Sequence, residues 1–183
     1  MGQILAMTST DTVGVVIPTF NSADTIERAL RSVSEQSVLP DEVVVVDNAS
    51  TDSTVVAVER FVQSTPQLNL SLIELRSNTG PGNARNIGWD KCQTSLIAFL
   101  DSDDSWHPNK LEIQMKVVQS HPNHQLFGHR YTILDRDGSV PDSPVNDIGE
   151  LHYFTLHDFL IRNRMSTPTV IIRREVSHRF PTN

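Results

Sequence analysis

The sequence predicts an α/β domain with a mainly parallel central sheet flanked by helices. Three observations carry that expectation. Short apolar runs, VGVVI at 13–17, EVVVV at 42–46 and LIAFL at 96–100, are separated by stretches with helical periodicity. Such runs between polar flanks suit strands buried on both faces. Carboxylates stand at the tips of two of them: Asp47 after the second, and Asp101, Asp103 and Asp104 after the third. Open α/β sheets gather their ligands at those strand ends. Finally, no clean linker divides the 183 residues, a length that suits one domain able to bury its own core.

The elements follow in order. The first strand covers Val13–Ile17, and Pro18 is expected to end it, because proline cannot donate in a central ladder. Asn21 and Ser22 offer N-cap chemistry for a helix over 23–36, where Ile26, Ala29, Leu30 and Val33 make one apolar face. The second strand, Glu42–Val46, stops at Asp47-Asn48. Ser50, Thr51 and Asp52 can cap a helix over 53–63 with Val55, Val58 and Val62 inward. Leu68–Leu75 alternates and reads as a half-buried third strand. The loop SNTGPGNARNIG at 77–88 leads into a helix. In it Gly80 and Gly82 permit close backbone approach to a ligand, Asn83 can cap, and Arg85 projects from the first turn.

After the central strand Leu96–Leu100, His107-Pro108-Asn109 opens a helix with Leu111, Met115 and Val118 inward. Leu126–Leu134 suggests a strand, Asp137-Gly138 a turn, 141–149 a loop, and Leu156, Phe159 and Leu160 a short helix. Thr169–Arg173 reads as the last strand. The strand–helix alternation fades near residue 125.

Composition removes several classes of function. The net charge of −7 and pI of 5.4 speak against a nucleic-acid surface. No apolar run approaches the ~20 residues that span a bilayer. Cys92 is the single cysteine, so no intrachain disulfide forms. No glycine pattern for a dinucleotide follows the first strand, and there is neither a P-loop nor a Gly-x-Ser-x-Gly elbow. The His121/His124 pair and His129 fit ordinary polar roles better than metal binding or catalysis. What remains is the carboxylate cluster. Three anions in four positions repel one another, and a divalent cation relieves that repulsion. Carboxylate oxygens are hard ligands, so Mg²⁺ or Mn²⁺ is the expected metal.

Four segments in sequence order, VVIPTFN, VVVVDNASTD, GPGNARNIG and FLDSDDSWHPNKLEIQ, resemble the family 2 glycosyltransferases. These are inverting enzymes of the GT-A fold. The likeness covers Val13 to Met115, and continues more weakly to PTVIIRREV. It implies a nucleotide-diphosphate sugar as donor, a UDP-sugar favoured, bound through Mn²⁺ or Mg²⁺, and a saccharide or lipid-linked acceptor. It further implies work in polysaccharide or glycoconjugate synthesis, in the cytoplasm or at the inner face of the membrane.

By the same resemblance, Pro18, Thr19, Asn21, Asn48, Gly80 and Ser102 line the donor site, and Asp47 accepts from the base. Arg85 approaches the diphosphate. Asp101 contacts the ribose or the metal's surroundings, Asp103 holds the metal, and Asp104 faces the acceptor. Residues 1–12 then read as a flexible leader, 13–125 as the nucleotide-sugar-binding half, and 126–183 as the start of an acceptor-side half. The family's general base lies beyond the strand that resembles PTVIIRREV. It is therefore expected past Asn183, outside this chain, with Asp104 a conceivable substitute. A chain without it would bind the donor and turn over slowly. The rival readings are a donor-binding module without turnover and a nucleotidyltransferase of related fold. The latter would need a Gly-rich basic loop where PTFNSAD stands.

Overall fold

The computed structural model describes residues 11–129, 151–153 and 165–182. Its sheet has six strands in the order β3-β2-β1-β4-β6-β5. The strands are β1 (Val13–Thr19), β2 (Glu42–Asp47), β3 (Leu70–Glu74), β4 (Leu96–Phe99), β5 (Leu126–Phe127) and β6 (Ile171–Arg173). Strands β1 to β4 run parallel, while β6 is antiparallel to both β4 and β5. The helices are α1 (Ile26–Ser34), α2 (Thr54–Ser64), α3 (Pro81–Lys91) and α4 (Lys110–Ser120). This is the mainly parallel, helix-flanked sheet that the apolar runs predict.

Alternate strand residues feed two cores, because successive side chains point to opposite faces. Val15, Ile17, Val43, Val45, Ala98 and Leu100 pack with α1, α2 and α4. Val16, Val44, Val46, Ile97 and Phe99 pack with Ala84 and Trp89 of α3 and with Phe180 of the tail. A fully buried Val, Leu, Ile or Phe contributes roughly 1.5–3 kcal/mol, so these doubly covered strands carry much of the stability.

The structure moves several expected boundaries. β1 does not stop at Pro18: it pairs on to Pro18↔Val46 and Thr19↔Asp47. Val16 O accepts from Leu100 N, so Pro18 faces that same β4 side, where the ladder has already ended. The missing N–H is therefore not needed. α1 starts at Ile26 with Thr25 as its N-cap, and no side chain caps it. The buried face of α2 is Thr54, Val58 and Phe61 rather than one led by Val55 and Val62, which are half-buried. α3 is capped by Gly80 with Pro81 at its first position, so Asn83 lies inside the helix. Proline there has a preset φ and lacks only an N–H that would have been orphaned. Thr169 belongs to a 3-10 turn, Thr167–Thr169, and β6 begins at Ile171. Asp11 and Thr12 are already tied down: Thr12 O accepts from Leu96 N, and Asp11 pairs with Arg173.

Some expectations fall outside the described residues. These are the turn at Asp137-Gly138, the loop 141–149, the helix about Leu156 and the strand beyond His129. Asn183 lies outside them too, since the described tail closes at Thr182.

The strand order reverses between β1 and β4. There the connections leave the sheet in opposite directions, the arrangement that in open α/β sheets makes a crevice at the C-terminal edge. In the loop after β4, Trp106 is anchored on two sides. Its backbone N–H donates to Ser32 Oγ of α1 (3.1 Å), and its Nε1–H donates to Pro168 O of the 3-10 turn (2.9 Å). Lys110 of α4 stacks its Nζ 3.5 Å from the centroid of the same indole.

Candidate functional site

The tips of β1, β2 and β4 meet at that crevice. After β1, Asn21 adopts φ 48°, a left-handed conformation that asparagine tolerates better than most residues. It does not cap α1. Its Oδ1 instead accepts from Thr51 N (2.8 Å), and its own N–H donates to Ser50 Oγ (2.9 Å). Ser22 N donates to Thr54 Oγ1 (2.7 Å) and Ala23 N to Asp52 Oδ2 (3.2 Å). Asp52 also accepts from Thr54 N at 3.0 Å, which starts α2. The hydrogen bond from Thr54, foremost, holds the Asp52 carboxyl below the usual range. The loops after β1 and β2 are thus one interlocked unit.

Asp47 and Asn48 are buried within it. Asp47 accepts from Ser50 N (2.9 Å) and Ser50 Oγ (2.5 Å). Asn48 Oδ1 accepts from Thr79 N (2.8 Å), and its Nδ2 donates to Asn78 Oδ1 (2.9 Å). Asn48 therefore holds the 78–80 loop against the β2 tip. Gly80 needs to be glycine because its φ is 84°, not because anything approaches it: a Cβ there would meet nothing within 4 Å. Gly82 differs from expectation too. The group that approaches it is the chain's own Pro181 carbonyl, which occupies the space a Cβ would need.

The β4 tip is another matter. Asp101 pairs with Arg85, Nη2 to Oδ1, at 2.5 Å. Arg85 lies in the second turn of α3, not the first, and its side chain is only 14% exposed. Its Nε is buried without a partner. Ser102 Oγ shares a hydrogen bond with Ser22 Oγ (2.8 Å) and so bridges the β1 and β4 loops. Among the described residues, the Asp103 and Asp104 carboxylates have no hydrogen-bond or ion-pair partner. Arg28 of α1 reaches the Asp103 backbone carbonyl instead. Asp104 is an exposed residue whose carboxylate is partly desolvated. That desolvation, then the charges of Asp103 and Asp101, raise its pKa, against an opposing pull from Arg28. Thr19 Oγ1 is buried at the neighbouring tip with no partner.

The structure brings Thr19, Asn21, Asp47, Asn48, Gly80, Arg85, Asp101 and Ser102 to one sheet edge. No group of three or more His, Cys, Asp or Glu among the described residues is arranged to cage a metal. A complete cage is not what Mg²⁺ requires. It commonly takes one or two carboxylates and completes its shell with substrate phosphates and water. Partnerless carboxylates at the crevice, one with a raised pKa, fit that mode. Sequence reading took Ser22 for a helix cap and missed Arg28 and Phe20, the last an aromatic side chain 45% exposed just after β1. Phe20 was visible in PTFN as an apolar residue outside every apolar run. Arg28 gives no signal, since its contact lies 75 residues away.

The family model for glycosyl transferase family 2 matches residues 14–177. This chain is a member of that family. The amylovoran biosynthesis glycosyltransferase AmsB of Erwinia amylovora is 31% identical over 169 residues, covering 88% of this chain and 55% of that protein. Among solved structures, TarS 1–349 of S. aureus in complex with UDP-GlcNAc superposes with a TM-score of 0.67 at 26% identity. That match covers 89% of this chain and 47% of TarS 1–349. The mannosyltransferase PcManGT of Pyrobaculum calidifontis, in complex with GDP-Man and Mn²⁺, gives a TM-score of 0.62 at 31% identity. There the shares are 70% and 37%. The sheet described above is thus a GT-A fold, and the chain spans about half the length of the relatives it matches. No helix among the described residues is long and apolar enough to cross a membrane.

Proposed function

We propose that the crevice between the tips of β1, β2 and β4 binds a nucleotide-diphosphate sugar, and that the protein transfers the sugar to an acceptor hydroxyl with inversion. The observation that carries this reading is the contrast within one edge. Thr19 Oγ1 and Arg85 Nε are buried without a partner at the sheet edge, while among the described residues the exposed Asp103 and Asp104 carboxylates after β4 have none either. Buried polar atoms are normally satisfied, and the oxygens of a bound diphosphate would satisfy Thr19 Oγ1 and Arg85 Nε. TarS with UDP-GlcNAc and PcManGT with GDP-Man support a donor of this class.

Within this reading, Asp47 reads the base. Two of its roughly four acceptor sites are taken by Ser50, and the others remain for an imide N–H. Phe20 offers its ring to the same base. Arg85 and Thr19 Oγ1 donate toward the diphosphate. Asp103, with Asp101 beside it, holds Mn²⁺ or Mg²⁺, and Asp104 faces the acceptor. When bound, the cation neutralises charge developing on the leaving diphosphate. The chain's own part is to hold the donor against a fixed edge, so that the anomeric carbon is open to an incoming hydroxyl. We place residues 13–125 as the donor half and 126–183 as the start of the acceptor half, with UDP-sugars favoured and a polysaccharide or glycoconjugate as product, made in the cytoplasm or at the inner face of the membrane.

The test is a panel of UDP-, GDP- and dTDP-sugars, each with Mn²⁺ and with EDTA, read by thermal stabilisation and by nucleotide release onto saccharide acceptors. One donor should stabilise the protein in Mn²⁺. Stabilisation by none of them would contradict the reading.

A further inference from the structure

The segment after β6 crosses α3 and is fastened to it at four points. Trp89 Nε1 donates to Arg174 O (3.2 Å), and the Arg179 guanidinium lies 4.2 Å from the Trp89 ring centroid. Asn86 grips the backbone of Phe180 in both directions: Oδ1 accepts from Phe180 N (3.0 Å), and Nδ2 donates to Phe180 O (2.9 Å). Pro181 O then rests on Gly82, at a distance only glycine allows. The residue so fixed is Phe180. Its ring meets that of Phe99, the last residue of β4, in a T-shaped contact with centroids 5.0 Å apart. Its face lies 5.3 Å from the Arg85 guanidinium carbon. Arg85 is thus held between an aromatic face and the Asp101 carboxylate, while its buried Nε remains unspent.

Resting on the donor-site reading above, we propose that Phe180 is a positioning residue of the donor site and acts through Arg85. An arginine side chain carries a large rotamer entropy, and fixing it before binding removes that cost from the binding step. The ring backs the guanidinium, Asp101 sets its angle, and the remaining N–H groups are presented to the diphosphate in one orientation. Gly82 and Asn86 serve by holding the tail in place. A phenylalanine that merely filled the second core would affect stability alone.

The experiment compares affinities for a nucleoside diphosphate and its monophosphate, in Mn²⁺, on the whole 183-residue chain. UDP, GDP and dTDP are screened first, and the tightest is used. Phe180→Leu keeps apolar bulk but removes the π face. It should lower the preference for diphosphate over monophosphate about three- to thirtyfold, the range of a cation–π contact from exposed to desolvated. Asn86→Ala, which touches neither ring nor guanidinium, should lower the same preference and serves if Phe180→Leu does not fold. In an Arg85→Met background, Phe180→Leu should have no further effect on the preference. An unchanged preference in both tail variants, or an equal drop with and without Arg85, would overturn the proposal. If the wild-type chain binds none of the three diphosphates, the donor-site reading itself fails, and the proposal falls with it.

Discussion

Two strand tips end in carboxylates, and they are built in opposite ways. At the β2 tip, Asp47 is buried and accepts two hydrogen bonds from Ser50, and Asn48 uses both ends of its amide to hold the 78–80 loop. At the β4 tip, Asp101 has Arg85, and Asp103 and Asp104 have no side-chain partner among the described residues. At the β2 tip the fold itself supplies partners for Asp47 and leaves acceptor sites over for a base. At the β4 tip, partial desolvation and then the neighbouring charges of Asp103 and Asp101 raise the pKa of Asp104. Acidity at a strand end therefore does not by itself mark a metal site; what matters is whether the fold supplies the partners.

The largest expected effect separates the tips by ligand. With a donor nucleotide at ~100 times its Kd and Mn²⁺ present, the wild-type gain is about 2.7 kcal/mol. Asp103→Asn should remove most of it, as read by thermal melts with and without nucleotide. Next comes the ligand-free protein. Asp47→Ala should cost about 1–3 kcal/mol in urea unfolding, because it leaves Ser50 N–H and Oγ without their charged acceptor. Asp103→Asn should cost nothing there, since it removes a repelling charge. Equal losses at the two tips would break the comparison. Asn48→Ala should cost about 1 kcal/mol through the freed Thr79 N–H, and faster hydrogen exchange at 78–80 should report it.

The smallest effect concerns Lys110, which is buried beneath the β4 loop with its Nζ unpartnered over Trp106. Burial holds its pKa well below the lysine value of 10.5. Between that lowered pKa and the unfolded value, the unfolded chain binds more protons, so this residue's contribution to stability rises with pH across that window. Urea unfolding from neutral pH towards pH ~10 should show the rise in the wild type, and its slope should flatten in Lys110→Met.

Much of this was legible in the sequence. The β1, β2 and β4 runs were clear because doubly buried parallel strands must be apolar throughout, and the strand-tip aspartates marked the edge at once. What was illegible depends on partners distant in the chain. Asn21 reads as a helix cap, yet it caps a loop 30 residues on. Gly82 reads as a ligand contact, yet it makes room for Pro181. Pro18 reads as a stop, yet it continues β1 because β4 ends first on the side that would have needed its N–H. Arg85 reads as a first-turn cation aimed at a diphosphate, yet it lies in the second turn of α3 and is already paired with Asp101. Local pattern fixes which residues are helical or extended; topology decides what the capping residues and cations meet.

The central question is whether the β4 tip needs a cation before it admits a diphosphate. Isothermal titration of the wild-type chain with its preferred nucleoside diphosphate, once in Mn²⁺ and once in EDTA, measures this directly. A donor site held through Asp103 predicts binding at least about tenfold tighter in Mn²⁺, a difference of about 1.4 kcal/mol or more. Equal affinity in EDTA would contradict it and show that Arg85 and the backbone alone suffice for the diphosphate.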